Sequence, residues 1–318
     1  MSRILVTPRS LTASPGDGLA ELEAAGFELI LSPPGRQPSE DELMRLVPGC
    51  TGWLAGVESI TAGVLAAADK LRVISRNGTG IDSIDLVAAK RRGVRVMTSA
   101  GANAKSVAEL AVAFMLMGLR HLPESTAAMK DGKWHRREGH ELAGAIVGLI
   151  GCGPVGRAVA RIVGGFGATV LAHDVAPDPT FRPAGDFAWR DLDALVAESS
   201  IVSLHCPAEP GGAPLLDATR LARLPRGAGI VNTARASLVD ERSLLAALDD
   251  GRVGWYATDV FDVEPPGLTP LIAHPRVIAA PHIGAFTAEG GREAVRVAVA
   301  NLIGFLAESK IPAGAGAP

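Results

Sequence analysis

Short apolar, β-branched runs alternate along this chain with amphipathic stretches of about ten residues, and few folds accept that rhythm. Strands are predicted at Ile4–Thr7, Glu28–Leu31, Gly52–Ala55, Val73–Arg76 and Val94–Thr98. They resume at Ala145–Ile150, Thr169–His173, Ile201–His205, Gly229–Asn232, Gly254–Asp259 and Val277–Ala280. Helical patterns such as Gly18–Ala25, Thr61–Ala68, Val155–Val163, Leu192–Glu198 and Glu241–Leu248 lie between them. Repeated strand–helix–strand units imply an α/β fold, with parallel sheets covered on both faces and right-handed crossovers. Aromatic residues are only 4% of the chain, with one tyrosine. The cores must therefore be built from Ala, Val, Leu and Ile, which suits buried parallel strands.

The 318 residues suggest two domains. Five predicted strands precede residue 100 and six follow residue 144. Two long helical patterns, Asn103–Leu119 and Thr287–Leu306, are expected to bridge the two groups. The second of them returns the chain to the first domain, which makes that domain discontinuous. The tail, Pro312–Pro318, holds only Pro, Ala and Gly and is expected to fray.

A net charge of −3 gives no sign of a nucleic-acid groove or a polybasic membrane face. The longest apolar stretches, near 110–119 and 142–151, fall short of the ~20 residues that span a bilayer. The apolar run at the N-terminus is too short for a signal peptide. Cys50, Cys152 and Cys206 are far apart and form no CxxC, so neither disulfide nor structural zinc is expected, and no metal site. A soluble, cytoplasmic protein is the expectation.

The sharpest local signal is Gly151-Cys152-Gly153-Pro154-Val155-Gly156, between the run 145–150 and the helix that follows. Glycines there permit a tight turn and close approach of backbone to a pyrophosphate, with the helix N-terminus supplying amide donors. Pro154 lacks an N–H, but at the first helical position that donor is an orphan anyway. The next strand ends at Asp174, eighteen residues beyond Gly156. An acid at that spacing accepts from ribose hydroxyls and repels a 2′-phosphate, which predicts NAD rather than NADP.

Three ionisable residues follow successive strands. Arg235 closes Asn232-Thr233-Ala234-Arg235, Glu264 precedes Pro265-Pro266, and His282 lies in Pro281-His282-Ile283-Gly284. Ligands of open α/β sheets sit at the carboxyl ends of strands. A guanidinium there can clamp a carboxylate, an imidazole can move a proton, and a carboxylate can fix the imidazole tautomer. Taken singly, each has a bland reading: a surface ion pair, a solvated acid, a loop histidine. Their shared placement beside a dinucleotide motif favours the functional one.

With these motifs in order, the chain resembles the D-isomer-specific 2-hydroxyacid dehydrogenases, over about residues 50–300. It looks closest to the D-3-phosphoglycerate dehydrogenase branch. Arg76-Asn77-Gly78-Thr79-Gly80-Ile81-Asp82 resembles the family's substrate loop, Asn103 with Ser106-Val107-Ala108-Glu109 the start of its interdomain helix, and Met129-Lys130-Asp131-Gly132-Lys133-Trp134 a segment of the phosphoglycerate branch. The resemblance implies a Rossmann NAD-binding domain, residues 102–285, inserted into a flavodoxin-like substrate domain, 1–101 and 286–318. It implies a homodimer through the NAD domain. It implies Arg235 as substrate clamp, Glu264 as partner of His282, and His282 as acid/base. NAD would contact Gly151, Gly153, Pro154, Val155, Gly156, Asp174, Pro207, Thr233, Ala234 and Asp259. A 2-hydroxyacid or 2-keto acid would contact Arg76, Asn103 and the backbone amides of Asn77, Gly78, Thr79 and Gly80.

The chain departs from that pattern where the phosphoglycerate branch carries a phosphate-holding arginine after the third strand. Here the stretch reads Leu54-Ala55-Gly56-Val57-Glu58. Arg235-Ala236 replaces the usual Arg-Gly, with little consequence expected, and no C-terminal regulatory domain is expected beyond residue 310. Glyoxylate or hydroxypyruvate reduction, or another anionic hydroxyacid, is the alternative within the family. An NAD-sensing corepressor-like protein is the alternative outside catalysis.

Overall fold

The computed structural model describes residues 2–14, 16–209 and 211–308; the tail Pro312–Pro318 lies outside them. Among the described residues, twelve strands form two parallel sheets, one of five strands and one of seven. The chain divides into two compact units, Met1–Asn103 with Ala288–Pro318, and Ala104–Thr287. The second is inserted in the first. The crossings fall two residues later than the sequence suggested, because each long helix enters one unit whole: Ala104–Leu119 opens the second, and Ala288–Glu308 completes the first.

The first unit contains β1 (Arg3–Val6), β2 (Glu28–Leu31), β3 (Cys50–Ala55), β4 (Val73–Arg76) and β5 (Arg95–Thr98), in the order β2-β1-β3-β4-β5. Successive side chains point to opposite faces of a strand, so each strand feeds two cores. Ile4, Val6, Leu54 and Val73 pack with Leu22 and with Ala298, Val299 and Leu302 of the last helix. Leu5, Trp53 and Ile74 pack on the other face with Leu43, Val64 and Leu65. The helices there begin at residues that cap them: the side chains of Thr61 and Asp85 accept from Val64 and Ala88 amides, and Ser39 forms a capping box with Glu42.

The second unit contains β6 (Ile146–Ile150), β7 (Thr169–His173), β8 (Phe187–Trp189), β9 (Ile201–Leu204), β10 (Ala228–Asn232), β11 (Val253–Thr258) and β12 (Val277–Ala279). Their order is β12-β11-β10-β9-β6-β7-β8. The edge strand β8 is one more than the periodicity predicted. Three residues carry too little pattern to read. One face of this sheet is covered by Ala108, Ala111 and Met115 of the helix Ala104–Leu119, together with Val159 and Val163. Leu195, Leu244 and Leu248 cover the other. No single helix among the described residues is long and apolar enough to cross a membrane.

Candidate active site

Because β6, β7, β9, β10, β11 and β12 are parallel, their carboxyl ends share one edge of the second sheet. The strand order reverses between β6 and β9, and there the glycine loop sits. Gly151 has φ +95°, and a Cβ on it would lie 2.6 Å from the carbonyl carbon of His205 at the end of β9. A Cβ on Gly156 would lie 2.1 Å from the Gly151 carbonyl oxygen, whereas nothing lies within 4 Å of one on Gly153. The loop is thus tight underneath and open above. Gly153 caps the helix Pro154–Gly165, with Pro154 in its first turn. The Val155 and Gly156 amides face outward at that helix N-terminus, where no intrahelical acceptor exists.

Asp174, just past β7, is drawn to the same loop. Its Oδ2 accepts from the Cys152 amide at 2.7 Å and its Oδ1 from the Ala176 amide at 2.9 Å. Lone pairs remain on both oxygens. Pro207 lies exposed in the loop after β9. Two buried oxygens at this edge, Thr233 Oγ1 and Asp259 Oδ1, have no hydrogen-bond partner among the described residues. An orphaned buried acceptor is costly unless a ligand completes it. The glycine cradle and these orphaned oxygens fit a dinucleotide. Burial pushes the Cys152 and Cys206 thiols up to about 11, so both stay protonated at neutral pH and neither is a nucleophile.

The three ionisable residues all belong to this unit. Arg235 follows β10 on a turn, half-buried, its Nη1 donating to the Ala234 carbonyl at 2.7 Å. Asp259 directly follows β11, 1% exposed, its Oδ2 accepting from the Gly284 amide at 2.7 Å. Burial raises its carboxyl above the usual range, against the lowering pull of that amide. Glu264 Oε1 accepts from the Phe261 amide at 3.1 Å, and Glu264 Oε2 lies 2.7 Å from His282 Nδ1. A carboxylate only accepts, so Nδ1 carries the hydrogen and Nε2 is left to exchange a proton. His282 has φ +47°, in the left-handed region where a non-glycine residue is uncommon. The Asp259–Gly284 bond ties the two loops together two residues away. That bond was not predicted, since no spacing rule pairs an acid with an amide 25 residues on.

The remaining predicted residues belong to the first unit. Asn103 is its last residue before the helix Ala104–Leu119. At the end of β4, the Asn77 amide donates to the Ala55 carbonyl at 2.8 Å and the Gly78 amide to the Arg76 carbonyl at 2.9 Å. Those two donors thus have acceptors within the unit. The amides of Thr79 and Gly80 make no hydrogen bond among the described residues. Asn77 Oδ1 is buried and likewise without one. After β3, Glu58 is 1% exposed. Its Oε1 accepts from the Gly56 amide at 3.0 Å and from the Thr7 hydroxyl at the end of β1, and Trp53 Nε1 donates to that hydroxyl at 2.9 Å.

A model of the D-isomer-specific 2-hydroxyacid dehydrogenase NAD-binding domain matches residues 112–284. A hydroxypyruvate reductase of Thermotoga maritima is 38% identical over 259 residues, covering 80% of this chain and 84% of that protein. A D-3-phosphoglycerate dehydrogenase of Rattus norvegicus is 37% identical over 254 residues, 79% of this chain. Only 48% of that protein is covered, so the chain spans about half the length of the phosphoglycerate dehydrogenases it matches. The crystal structure of an NAD+-bound 3-phosphoglycerate dehydrogenase from Entamoeba histolytica superposes with a TM-score of 0.80 at 25% identity, covering 99% of each chain. With the family's domain matched over residues 112–284 and relatives 37–38% identical over about four fifths of the chain, the chain belongs to the D-isomer-specific 2-hydroxyacid dehydrogenases, NAD-dependent oxidoreductases acting on CH–OH.

Proposed function

We propose that this dehydrogenase works on a small 2-hydroxyacid or 2-keto acid without a phosphate, of the hydroxypyruvate or glyoxylate kind. Glu58 carries this reading. The strand order of the first unit reverses between β1 and β3, which is where ligands of such sheets bind. The Glu58 carboxylate bridges those two strand ends through Thr7 and Gly56, and no cation pairs with it among the described residues. It also leaves no room for a longer side chain at position 56: a Cβ there would lie 2.7 Å from Glu58 Oε2 and 3.1 Å from the Pro8 Cα. A phosphate dianion forfeits a charge-assisted contact of ~1.5–3 kcal/mol, roughly ten- to 150-fold in kcat/KM. D-3-phosphoglycerate, expected from the sequence, is the second reading. Arg76 at the end of β4 favours it, although that guanidinium donates to the Asn77 carbonyl.

In the proposed chemistry NAD, when bound, supplies the hydride acceptor, and its reduced form the donor. Arg235 holds the substrate carboxylate and polarises C2. His282 Nε2 removes the hydroxyl proton in oxidation and returns it in reduction. Glu264 keeps the histidine in the Nδ1–H tautomer. Thr79 and Gly80 are the amides available for a carboxylate in the first unit, and Asn103, the last residue of its first segment, is a further substrate contact. NAD contacts are assigned to the glycine loop, Asp174, Pro207, Thr233, Ala234 and Asp259. The partner expected is a second copy of this chain through the NAD-binding unit, where Leu122, Met129 and Trp134 are 51%, 56% and 80% exposed. Three free thiols fit a cytoplasmic location.

The test is NADH oxidation with hydroxypyruvate, glyoxylate, phosphohydroxypyruvate and sulfopyruvate. Hydroxypyruvate or glyoxylate is expected to exceed phosphohydroxypyruvate in kcat/KM by about tenfold or more. The reverse order returns the assignment to phosphoglycerate. Tight NADH binding with no turnover on any acid marks a sensor.

A further inference from the structure

Arg235 stands on a turn that side-chain hydrogen bonds hold. Asn232, the last residue of β10, is fully buried. Its Oδ1 accepts from the Ala234 amide at 3.1 Å and its Nδ2 donates to the Arg235 carbonyl at 2.9 Å. The other Nδ2 hydrogen reaches the hydroxyl of Tyr256 on β11, 3.3 Å away. Tyr256, the chain's one tyrosine, is itself 2% exposed. From the same strand Thr258 Oγ1 lies 3.0 Å from the Asn232 carbonyl oxygen and donates to it. The side chain and the backbone of Asn232 are thus both tied to β11.

A cavity of about 200 Å³ is lined by Ala236, Tyr256, Val260, Phe261, Val263 and Pro266 among others. Those residues include the neighbour of Arg235 and the segment between Asp259 and Glu264. The side chain of Arg235 is not among the core residues, so the aim of its turn depends on the hydrogen bonds that shape it. A buried tyrosine needs a partner for its hydroxyl in any case, but a partner elsewhere in the core would satisfy it equally well. Here one of its partners is Asn232, the residue that shapes the turn of Arg235.

We propose that Tyr256, acting through Asn232, is a positioning residue that sets the guanidinium of Arg235 toward the substrate carboxylate. The inference rests on the reading of Arg235 as substrate clamp. The experiment is a double-mutant cycle on the full chain with NADH and its best 2-keto acid, pairing Tyr256→Phe with Arg235→Lys. Tyr256→Phe is expected to raise KM for the keto acid about three- to tenfold, with the NADH dissociation constant changed less than about twofold. In the Arg235→Lys background, where the fork is already lost, the same substitution is expected to change KM less than about twofold. Equal effects in both backgrounds overturn the proposal and leave Tyr256 an ordinary core residue. Thr258→Val, which releases the backbone arm of the same bracket, repeats the cycle if Tyr256→Phe does not fold. Additivity there overturns the proposal too. If Arg235→Lys alone leaves KM and kcat intact, the clamp reading itself fails, a result separate from either.

Discussion

Replacing Asp259 with asparagine pulls apart two demands on one buried carboxyl. In the folded chain Oδ2 accepts from the Gly284 amide at 2.7 Å, while Oδ1 is buried with no partner among the described residues. Asparagine keeps the shape and the Gly284 contact, but it presents an NH2 where Oδ1 stood and removes the charge. If Oδ1 receives the carboxamide N–H of the nicotinamide, the loss is one charge-assisted bond, ~1.5–3 kcal/mol, or about ten- to 150-fold in NADH affinity. Stability without cofactor moves the other way. Burial raises the folded-state pKa of Asp259 above its unfolded value, so between the two the folded chain binds more protons. Parent stability therefore falls as pH climbs from the unfolded value, about 3.9, through the folded one. The variant escapes that loss: its advantage is absent at the acid end and grows as pH rises. NADH titration and thermal unfolding without cofactor across pH measure both halves. Unchanged NADH affinity, or a variant that melts below the parent at neutral pH, would refute the reasoning.

Three further outcomes are expected. His282→Ala should lower kcat about 10²- to 10⁴-fold with NADH affinity retained, and unchanged turnover would sink the acid/base assignment. Gly156→Ala drives a Cβ to 2.1 Å from the Gly151 carbonyl oxygen; it should cost about 1–3 kcal/mol of stability and at least tenfold in NADH binding, as melting and titration would show. The Glu42 carboxyl is held down to about 2 by its hydrogen bonds to Arg36 and to the Ser39 amide. Its stabilisation is present above the unfolded carboxylate range and fades as pH falls toward 2, so Glu42→Gln should flatten the acid limb of the melting curve. An unaltered acid limb would mean that this exposed pair contributes nothing.

The sheets were legible because parallel strands buried on both faces are near-continuous apolar runs. Eleven of the twelve strands among the described residues could be read that way. Strand β8 escaped because its identity lies in tertiary packing: Phe187 meets Phe181 and Trp189 edge-on, at 5.4 and 5.3 Å between ring centroids. The site edge was legible for a related reason, since strand ends in a parallel sheet share one side wherever they fall in sequence. Which amides of the Asn77–Gly80 loop are spent could not be read, because the acceptor for Asn77 is the carbonyl of Ala55, in another strand. That Glu58 is buried could not be read either. Its burial depends on Thr7, 51 residues earlier, and no local pattern carries that.

The last helix, Ala288–Glu308, supplies Ala298, Val299 and Leu302 to a core whose other members include Ile4 and Val6, from the very start of the chain. During synthesis the strands that carry Ile4 and Val6 must therefore wait until residue 302 has been made before that face of their sheet can close. The second unit, continuous from Ala104 to Thr287, meets no such delay. Domains generally fold as their sequences emerge, so the order of folding should invert the order of synthesis: the cofactor-binding unit first, the N-terminal unit last. Until residue 302 arrives, Ile4, Val6, Leu54 and Val73 form an uncovered apolar face, the part of the nascent chain most in need of protection from aggregation.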